Sequence, residues 1–128
     1  MSKTVIITGA NRGIGKGIAY VFASKGYNIF LAHCGEAEKA YETAKEIKEK
    51  YGKECVTFDG NLAEEDVIKE LVKKAVEAYG HIDVLVNNAG IAPQKRTDLL
   101  DMTEESFDEL IQTNTKGTMF LSQLAAKQ

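Results

Sequence analysis

The order of apolar and polar positions along the chain predicts four short strands, each followed by a helix. Runs of mainly apolar or β-branched residues, typical of buried strands, cover residues 4–8, 27–32, 54–59 and 82–86. Between them, apolar residues recur at helical spacing over residues 14–24, 36–51 and 64–79, and a last helix runs from Thr103 toward the C-terminus. Strands that alternate with helices are typical of an α/β fold with a parallel sheet and right-handed crossovers.

The same spacing predicts where the helices end and which faces they bury. Glycine follows the first three helices, at Gly26, Gly52 and Gly80, where it commonly ends a helix. Thr103 is a predicted N-cap, followed by two glutamates that suit the first turn. The predicted apolar stripes, in helix order, are Ile14, Ile18, Val21 and Phe22; Ala40, Ala44 and Ile47; Ile68, Leu71, Val72, Ala75 and Tyr79; Phe107, Leu110, Ile111, Thr118 and Leu121.

A doubly wound, Rossmann-like sheet with strand order 3-2-1-4 is the predicted architecture. In that order the first and fourth strands flank the topological switch point, and ligands bind there, beyond the carboxyl ends of the strands. A glycine-rich turn follows the first strand, and Asn-Asn-Ala-Gly follows the fourth at residues 87–90. The two turns are therefore expected to meet at one crevice.

The glycine-rich turn has the features of a phosphate site. Gly9, Gly13 and Gly15 lie between a strand and the start of a helix, and a further glycine follows at position 17. Glycine allows positive φ and close approach of the backbone to a ligand, and a helix N-terminus offers unpaired N–H groups to an anion. The spacing is G-x-x-x-G-x-G rather than the usual dinucleotide fingerprint G-x-G-x-x-G. An ordinary glycine-rich turn that binds nothing is the alternative.

Composition narrows the function classes. The 128 residues suffice for one domain, and 44% apolar and 27% charged residues are typical of a soluble globular protein. A net charge of −3 gives no basic surface for nucleic acid, and no apolar run is long enough to cross a membrane. The N-terminus does not resemble a signal peptide, and the two cysteines are expected at opposite ends of the sheet, unpaired. We therefore expect a cytoplasmic protein with no nucleic-acid or membrane partner and, lacking Cys/His clusters, no metal site.

Three motifs on these elements resemble the short-chain dehydrogenase/reductase family. They are Thr-Gly-Ala-Asn-Arg-Gly-Ile-Gly at 8–15, the Asn-Asn-Ala-Gly turn, and Asn-Thr-Lys-Gly at 114–117. The similarity extends over the whole chain, and within the family the chain resembles 3-oxoacyl-[acyl-carrier-protein] reductases and related carbonyl reductases. The resemblance implies an oxidoreductase that transfers hydride between NADP(H) or NAD(H) and a small-molecule carbonyl or alcohol, in a homo-oligomeric parent protein.

The resemblance also implies roles for individual residues. The pyrophosphate of the cofactor would lie along Gly9, Gly13 and Gly15, with contacts nearby from Asn11, Arg12 and Ile14. The adenosine end would meet Asn61, Leu62, Asn88, Ala89 and Gly90, although the family usually has Asp at position 61, and Asp59 is close by. Asn114 would hold a water in a proton relay. Its place on the last apolar stripe also predicts a buried structural amide that bonds a neighbouring backbone group, since an unpartnered one would be costly.

The choice of cofactor depends on the end of the second strand. An acid about 20 residues beyond the glycine turn would bond the ribose 2′-hydroxyl and favour NAD. The sequence there is His33-Cys34-Gly35-Glu36, without an acid at the expected position. Arg12 could pair with a 2′-phosphate, and His33 could stack on adenine or contact that phosphate. These residues favour NADP, with NAD as the alternative if Glu36 reaches the ribose.

The Ser, Tyr and Lys that the family uses for proton transfer follow the Asn helix and have no counterpart in this chain. Tyr41 and Lys45 match the Tyr-x-x-x-Lys spacing, but they lie on the charged second helix and are better explained as an exposed i,i+4 pair. Residues 1–128 are thus expected to be a dinucleotide-binding half-domain that is inactive alone, its catalytic and substrate-binding half lying outside this chain. A non-catalytic nucleotide-binding fragment and an interaction module that keeps only the fold are the alternatives.

Overall fold

The structure, a computed structural model, describes residues 2–10, 13–89 and 99–128. Nine regular elements follow one another in these ranges. They are β1 (Thr4–Thr8), α1 (Gly13–Ser24), β2 (Asn28–His33), α2 (Ala37–Tyr51), β3 (Cys55–Asp59), α3 (Glu65–Tyr79), β4 (Val84–Val86), α4 (Glu104–Ile111) and α5 (Thr118–Ala126). A 3-10 turn covers Leu99–Asp101, and a π-helical segment, Gln112–Gly117, joins α4 to α5.

The four strands form one parallel sheet in the order β3-β2-β1-β4, which confirms the predicted topology. Thr8 of β1 lies opposite Ala32 of β2, and His33 lies opposite Asp59 of β3. The carboxyl ends of the strands therefore share one edge of the sheet, with the β1 and β4 ends side by side.

Helices cover both faces of the sheet, as two separate cores show. Alternate residues of a strand point to opposite faces, so Val5 and Ile7 enter one core while Ile6 enters the other. The first core is completed by α1 and α2, and the second by α3 and α5. Burial on both faces explains why the strands are continuously apolar rather than alternating.

The face of α1 that is buried differs from the face that the sequence predicts. Ile14 is 79% exposed and Val21 is 59% exposed, whereas the buried residues are Gly15, Ala19 and Ala23. The helix starts directly at the glycine turn and approaches the sheet closely. Its smallest residues therefore face inward, and the predicted stripe survives only in the half-buried Ile18 and Phe22.

Helices α2 and α3 follow the predicted patterns more closely. Gly52 and Gly80 end them in the left-handed conformation, with φ of 66° and 82°. Ile68, Leu71, Val72 and Ala75 of α3 are buried as predicted. In α2 the buried residue between Ala40 and Ile47 is Thr43 rather than Ala44. The Thr43 hydroxyl donates to the Lys39 carbonyl at 3.0 Å.

The last helical region departs most from the prediction. Thr103 does cap α4, accepting from the Ser106 N–H at 3.1 Å. However, Phe107 is 55% exposed, Ile111 is 42% exposed, and α4 has no buried residue. Asn114 is exposed as well, so the prediction of a buried amide is wrong for this chain. Burial resumes at Gly117, the last residue of the π-helical segment Gln112–Gly117, and continues at Leu121 of α5.

The amino-terminal edge of the sheet is closed by side chains. The Tyr79 hydroxyl donates to the Ile29 carbonyl at 2.9 Å, and a carboxylate oxygen of Asp83 accepts from the Thr4 N–H at 2.7 Å. The half-buried His81 has its Nε2 3.0 Å from that same oxygen. These contacts tie α3 to β2, and β1 to the residues that lead into β4, away from the predicted crevice.

The two cysteines are free and differ in environment. Cys34 is exposed in the turn after β2, whereas Cys55 begins β3 at the opposite edge. Burial, together with the nearby charge of Glu54, raises the pKa of Cys55 to about 12. Burial likewise raises the pKa of Tyr79 to about 12, so both groups stay protonated at neutral pH. Neither is a candidate nucleophile.

Within the described residues, no helix has both the length and the apolar content that crossing a membrane requires.

Candidate functional site

The turns after β1 and β4 are joined by the side chain of Thr8, the last residue of β1. Its buried hydroxyl oxygen accepts the N–H of Asn88 at 3.1 Å and the N–H of Ala89 at 2.9 Å. In return, the Asn88 side-chain amide donates to the Gly9 carbonyl at 3.1 Å. The two turns that the sequence predicted to meet are thus fixed against each other at the switch point.

The glycines of the first turn meet two separate demands. Gly9 and Gly13 have φ of 66° and 62°, values that favour glycine. Gly15 is needed for space, since a Cβ there would lie 2.4 Å from the Gly9 oxygen and 2.5 Å from the Asn88 side-chain nitrogen. Only glycine at position 15 allows α1 to begin this close to both turns.

The start of α1 faces this crevice without a competing negative charge. The first turn of α1 contains no acidic residue, and Ile14 is exposed beside it. The first N–H groups of a helix have no partner within the helix, and the helix dipole favours an anion at that end. The geometry therefore fits a phosphate-bearing ligand on the β1–α1 turn.

The turn after β2 is held by a residue of the neighbouring strand. A carboxylate oxygen of Asp59, at the end of β3, accepts the Gly35 N–H at 2.9 Å. His33 is only 5% exposed, with its Nδ1 2.8 Å from the Gly35 carbonyl and 3.8 Å from that Asp59 oxygen. The sequence has no acid at the end of β2 itself, but the parallel register places Asp59 of β3 beside this turn. The burial of His33 also leaves little of its ring for the predicted stacking on adenine.

The loop after β3 is built against the π-helical segment. Asn61 accepts the Ala63 N–H through its side-chain oxygen at 2.9 Å, and Leu62 is buried in the core. The Gln112 amide donates to the Ala63 carbonyl at 2.7 Å, and a Cβ on Gly117 would lie 2.3 Å from the Leu62 oxygen. The predicted adenine pair therefore lies in a well-held loop, with Asn61 exposed and Leu62 structural.

A second polar contact connects the β4 end to the last helix. The Asn87 amide donates to the Ser122 hydroxyl at 3.0 Å, and Ser122 donates in turn to the Thr118 carbonyl at 2.8 Å. Asn114 lies one helical turn before Thr118, in the π-helical segment that packs on the β3–α3 loop. A π turn within a helix is frequent at functional sites.

The predicted residues divide into three groups. One is brought together at the carboxyl edge of the sheet, another lies on the loops beside it, and the third falls outside the described residues. In that order they are Gly9, Gly13, Ile14, Gly15, Asn88 and Ala89; His33, Asn61, Leu62 and Asn114; and Asn11, Arg12 and Gly90.

Two residues important to this geometry were missed by the sequence reasoning. In the sequence Thr8 is one member of the first motif, although a hydroxyl residue at the carboxyl end of a buried strand is a recognisable signal. Asp59 stands out there only as an acid two residues before the adenine pair. Its contact with Gly35 depends on strand register, which the residue pattern does not reveal.

Other candidate chemistry is not supported by placement. Tyr41 is exposed on α2, and Lys45 lies 4.0 Å from Glu49, as expected for a solvated helix surface. Within the described ranges, no three His, Cys, Asp or Glu residues are grouped closely enough to hold a metal ion.

A family model described as short chain dehydrogenase matches residues 3–128. The chain belongs to the short-chain dehydrogenase/reductase family. A 3-oxoacyl-[acyl-carrier-protein] reductase of Staphylococcus epidermidis is 44% identical over 91% of this chain and 47% of its own length. A diacetyl reductase of the same species, (S)-acetoin forming, is 44% identical over the whole chain and 48% of its own length. The chain thus spans about half the length of these curated relatives.

Solved structures agree with the fold and with the family. An alcohol dehydrogenase of Thermococcus sibiricus, in complex with 5-hydroxy-NADP, superposes with a TM-score of 0.90 at 31% identity, over 99% of this chain and 53% of that one. A 3-oxoacyl-[acyl-carrier protein] reductase of Brucella melitensis, in complex with NAD, gives a TM-score of 0.88 at 32% identity, over 99% and 49%. Relatives of this fold therefore include both an NADP-type and an NAD complex.

Proposed function

We propose that this chain is the dinucleotide-binding half of an oxidoreductase that transfers hydride between NADP(H) or NAD(H) and a small-molecule carbonyl or alcohol. The observation that carries the proposal is the Gly15 contact. A Cβ there would meet both the β1–α1 turn and the Asn88 side chain, so the site depends on a backbone brought unusually close. Membership of the family and relatives complexed with NADP-type and NAD cofactors support the same function.

The residues present fit such a cofactor. Gly9, Gly13 and Gly15 would line the pyrophosphate, which the N-terminus of α1 would hold by its N–H groups and dipole. Asn88 and Ala89, fixed by Thr8, would lie beside the adenosine ribose. The cofactor supplies the hydride, while the protein supplies orientation and proton transfer.

One group of the proton relay is proposed to lie in this chain. Asn114 is proposed to hold a water for a proton relay, at the π turn that follows α4. The remaining proton-transfer groups and the substrate pocket are proposed to come from outside residues 1–128. The chain alone would then bind cofactor without turnover.

The preference between NADP and NAD follows from opposed charges. Arg12, by its chemistry, favours a 2′-phosphate. The carboxylate of Glu36, the residue that precedes α2, favours a 2′-hydroxyl instead. We propose that either cofactor binds, and that the β2–α2 turn sets the ratio.

The parent protein is proposed to be a cytoplasmic homo-oligomer acting on a small carbonyl compound. The names of the relatives, a 3-oxoacyl-[acyl-carrier-protein] reductase and a diacetyl reductase, support a carbonyl substrate class.

The test is a titration of the 128-residue chain with NADPH and NADH, in which cofactor fluorescence reports binding. A turnover assay with a panel of ketones then follows. Saturable binding without turnover is the expected result. Turnover by the chain alone would contradict the half-domain, and failure to bind either cofactor would refute the proposed function. Binding of nucleotide to a parent protein that lacks turnover would favour a non-catalytic nucleotide-binding protein.

A further inference from the structure

The turn between β2 and α2 adopts a conformation that needs external support. Gly35 has φ of 73°, and the following Glu36 has φ of 50°, the one non-glycine residue with positive φ among those described. Two successive left-handed residues, one of them bearing a side chain, are unfavourable in isolation. The conformation therefore depends on bonds from neighbouring elements.

Those bonds come from the end of β3. Asp59 accepts the Gly35 N–H at 2.9 Å, and the next residue, Gly60, donates its N–H to the His33 carbonyl at 2.9 Å. The buried His33 ring completes the arrangement through the Gly35 carbonyl. The N–H and the carbonyl of Gly35 are thus both held, the N–H by the Asp59 carboxylate and the carbonyl by the His33 imidazole.

The same turn starts α2 with Glu36 as its N-cap residue. Glu36 lies three residues beyond His33, where an acid that binds the ribose of a dinucleotide is expected, and it is the one acid among residues 34–36. Its carboxylate lies 3.4 Å from the Lys39 ammonium. The φ and ψ of Glu36, 50° and 45°, set the direction in which its Cα–Cβ bond leaves the turn, and Asp59 bonds the residue just before it.

We propose that Asp59 is a positioning residue for cofactor preference: its hydrogen bond to Gly35 fixes the β2–α2 turn and so places Glu36 at the ribose end of the site. This inference rests on the proposed function. Asp59 acts here through the turn, by a hydrogen bond, and not by direct contact with the cofactor.

Two substitutions of Asp59 separate the effect of its hydrogen bond from the effect of its charge. Asp59→Asn keeps a side-chain oxygen that can accept the Gly35 N–H but removes the negative charge, whereas Asp59→Ala removes both. Asp108→Ala is the matched control, since it removes an exposed carboxylate from α4, away from the turn.

The experiment measures dissociation constants for NADPH and NADH with the wild-type chain and the three variants. In Asp59→Ala the released turn no longer holds Glu36 toward a 2′-hydroxyl. NADH affinity should fall relative to NADPH affinity by about fivefold, equivalent to about 1 kcal/mol. Asp59→Asn and Asp108→Ala should keep the wild-type ratio within about twofold.

Hydrogen exchange of the Gly35 amide supplies a readout without ligand. Exchange should be slow in the wild type and in Asp59→Asn, and fast in Asp59→Ala. An unchanged ratio in Asp59→Ala, or equal losses for both cofactors, would overturn the inference, as would an Asp59→Asn ratio that matches Asp59→Ala. Absence of binding by the wild-type chain would instead refute the proposed function, and the inference with it.

Discussion

Replacing Gly15 with alanine tests the site at its tightest contact. The added Cβ would lie 2.4 Å from the Gly9 oxygen, 2.5 Å from the Asn88 side-chain nitrogen and 2.8 Å from the Ala10 Cα. Two of these three atoms belong to the backbone of the glycine turn, so no flexible side chain can yield enough. Either α1 or the turn must move by roughly 1 Å to reach ordinary contact.

Gly17→Ala is the natural control, because it makes the same chemical change two residues further along the same helix. A Cβ at Gly17 meets nothing within 4 Å. Each variant gains about 1 kcal/mol of helix propensity from the removal of glycine. Gly17→Ala should therefore stabilise the chain by about that amount.

In Gly15→Ala the gain is opposed by overpacking, which costs about 1–3 kcal/mol and more where backbone is involved. Relative to Gly17→Ala, we therefore expect a free energy of unfolding lower by about 2 kcal/mol. Displacement of the turn should also weaken dinucleotide binding by at least about tenfold, the equivalent of one hydrogen bond to a charged group.

The assay pairs urea unfolding, followed by far-UV circular dichroism, with NADPH and NADH titrations at a urea concentration where all three chains are folded. Gly17→Ala should bind like the wild type. Wild-type affinity in a folded Gly15→Ala chain would refute the reasoning, because the turn would then not be the cofactor site. Equal stability of the two variants would show that the close contact imposes no strain.

Three further predictions concern the rest of the fold. Thr8→Val removes the acceptor for the Asn88 and Ala89 N–H groups and should cost about 1–3 kcal/mol of stability in urea unfolding; Thr8→Ser should restore most of it, and equal losses in the two variants would contradict the role of the hydroxyl. Because the pKa of Cys55 is raised from 9.0 to about 12, its contribution to stability is complete below pH 9 and is lost as pH rises toward 12. Between these values that contribution falls by up to about 1.4 kcal/mol per pH unit. Cys55→Ala should therefore lose less free energy of unfolding than the wild type between pH 8.5 and pH 10.5, as measured by urea unfolding. Equal losses in the two chains would contradict the raised pKa. Finally, in the described part of the chain β4 pairs only with β1, and an apolar edge strand invites pairing with another chain, so the isolated 128-residue chain should self-associate in sedimentation velocity; a monodisperse monomer would argue against this.

Element order and topology could be predicted from the sequence because each depends on local signals. The apolar residues of α3 recur at helical spacing, and the glycines at 52 and 80 end their helices as their conformational freedom allows. The alternation of strands and helices left few parallel arrangements open, and the order β3-β2-β1-β4 is among them. The meeting of the glycine turn with Asn88 follows from that order.

The faces of the first and last helices could not be predicted in the same way. Spacing alone placed Ile14 and Val21 inward, but α1 begins so close to the sheet that Gly15 and Ala19 occupy the inner face. Spacing also places Asn114 on a buried stripe, but this residue is exposed in the π-helical segment Gln112–Gly117, as are Phe107 and Ile111 before it. For α1 the deciding quantity is the distance between its backbone and the glycine turn, which the residue pattern does not encode.

By itself, the sequence determined the α/β class, the strand order and the place of the candidate site at the carboxyl edge, since periodicity, glycine turns and chain connectivity specify these. The tertiary structure alone decided which side chains hold that site together. Thr8 reaches across to β4, and Asp59 reaches from β3 to Gly35, because parallel register brings residues 24 to 81 positions apart within hydrogen-bond distance. Such contacts depend on geometry between strands, and no local pattern of residues records it.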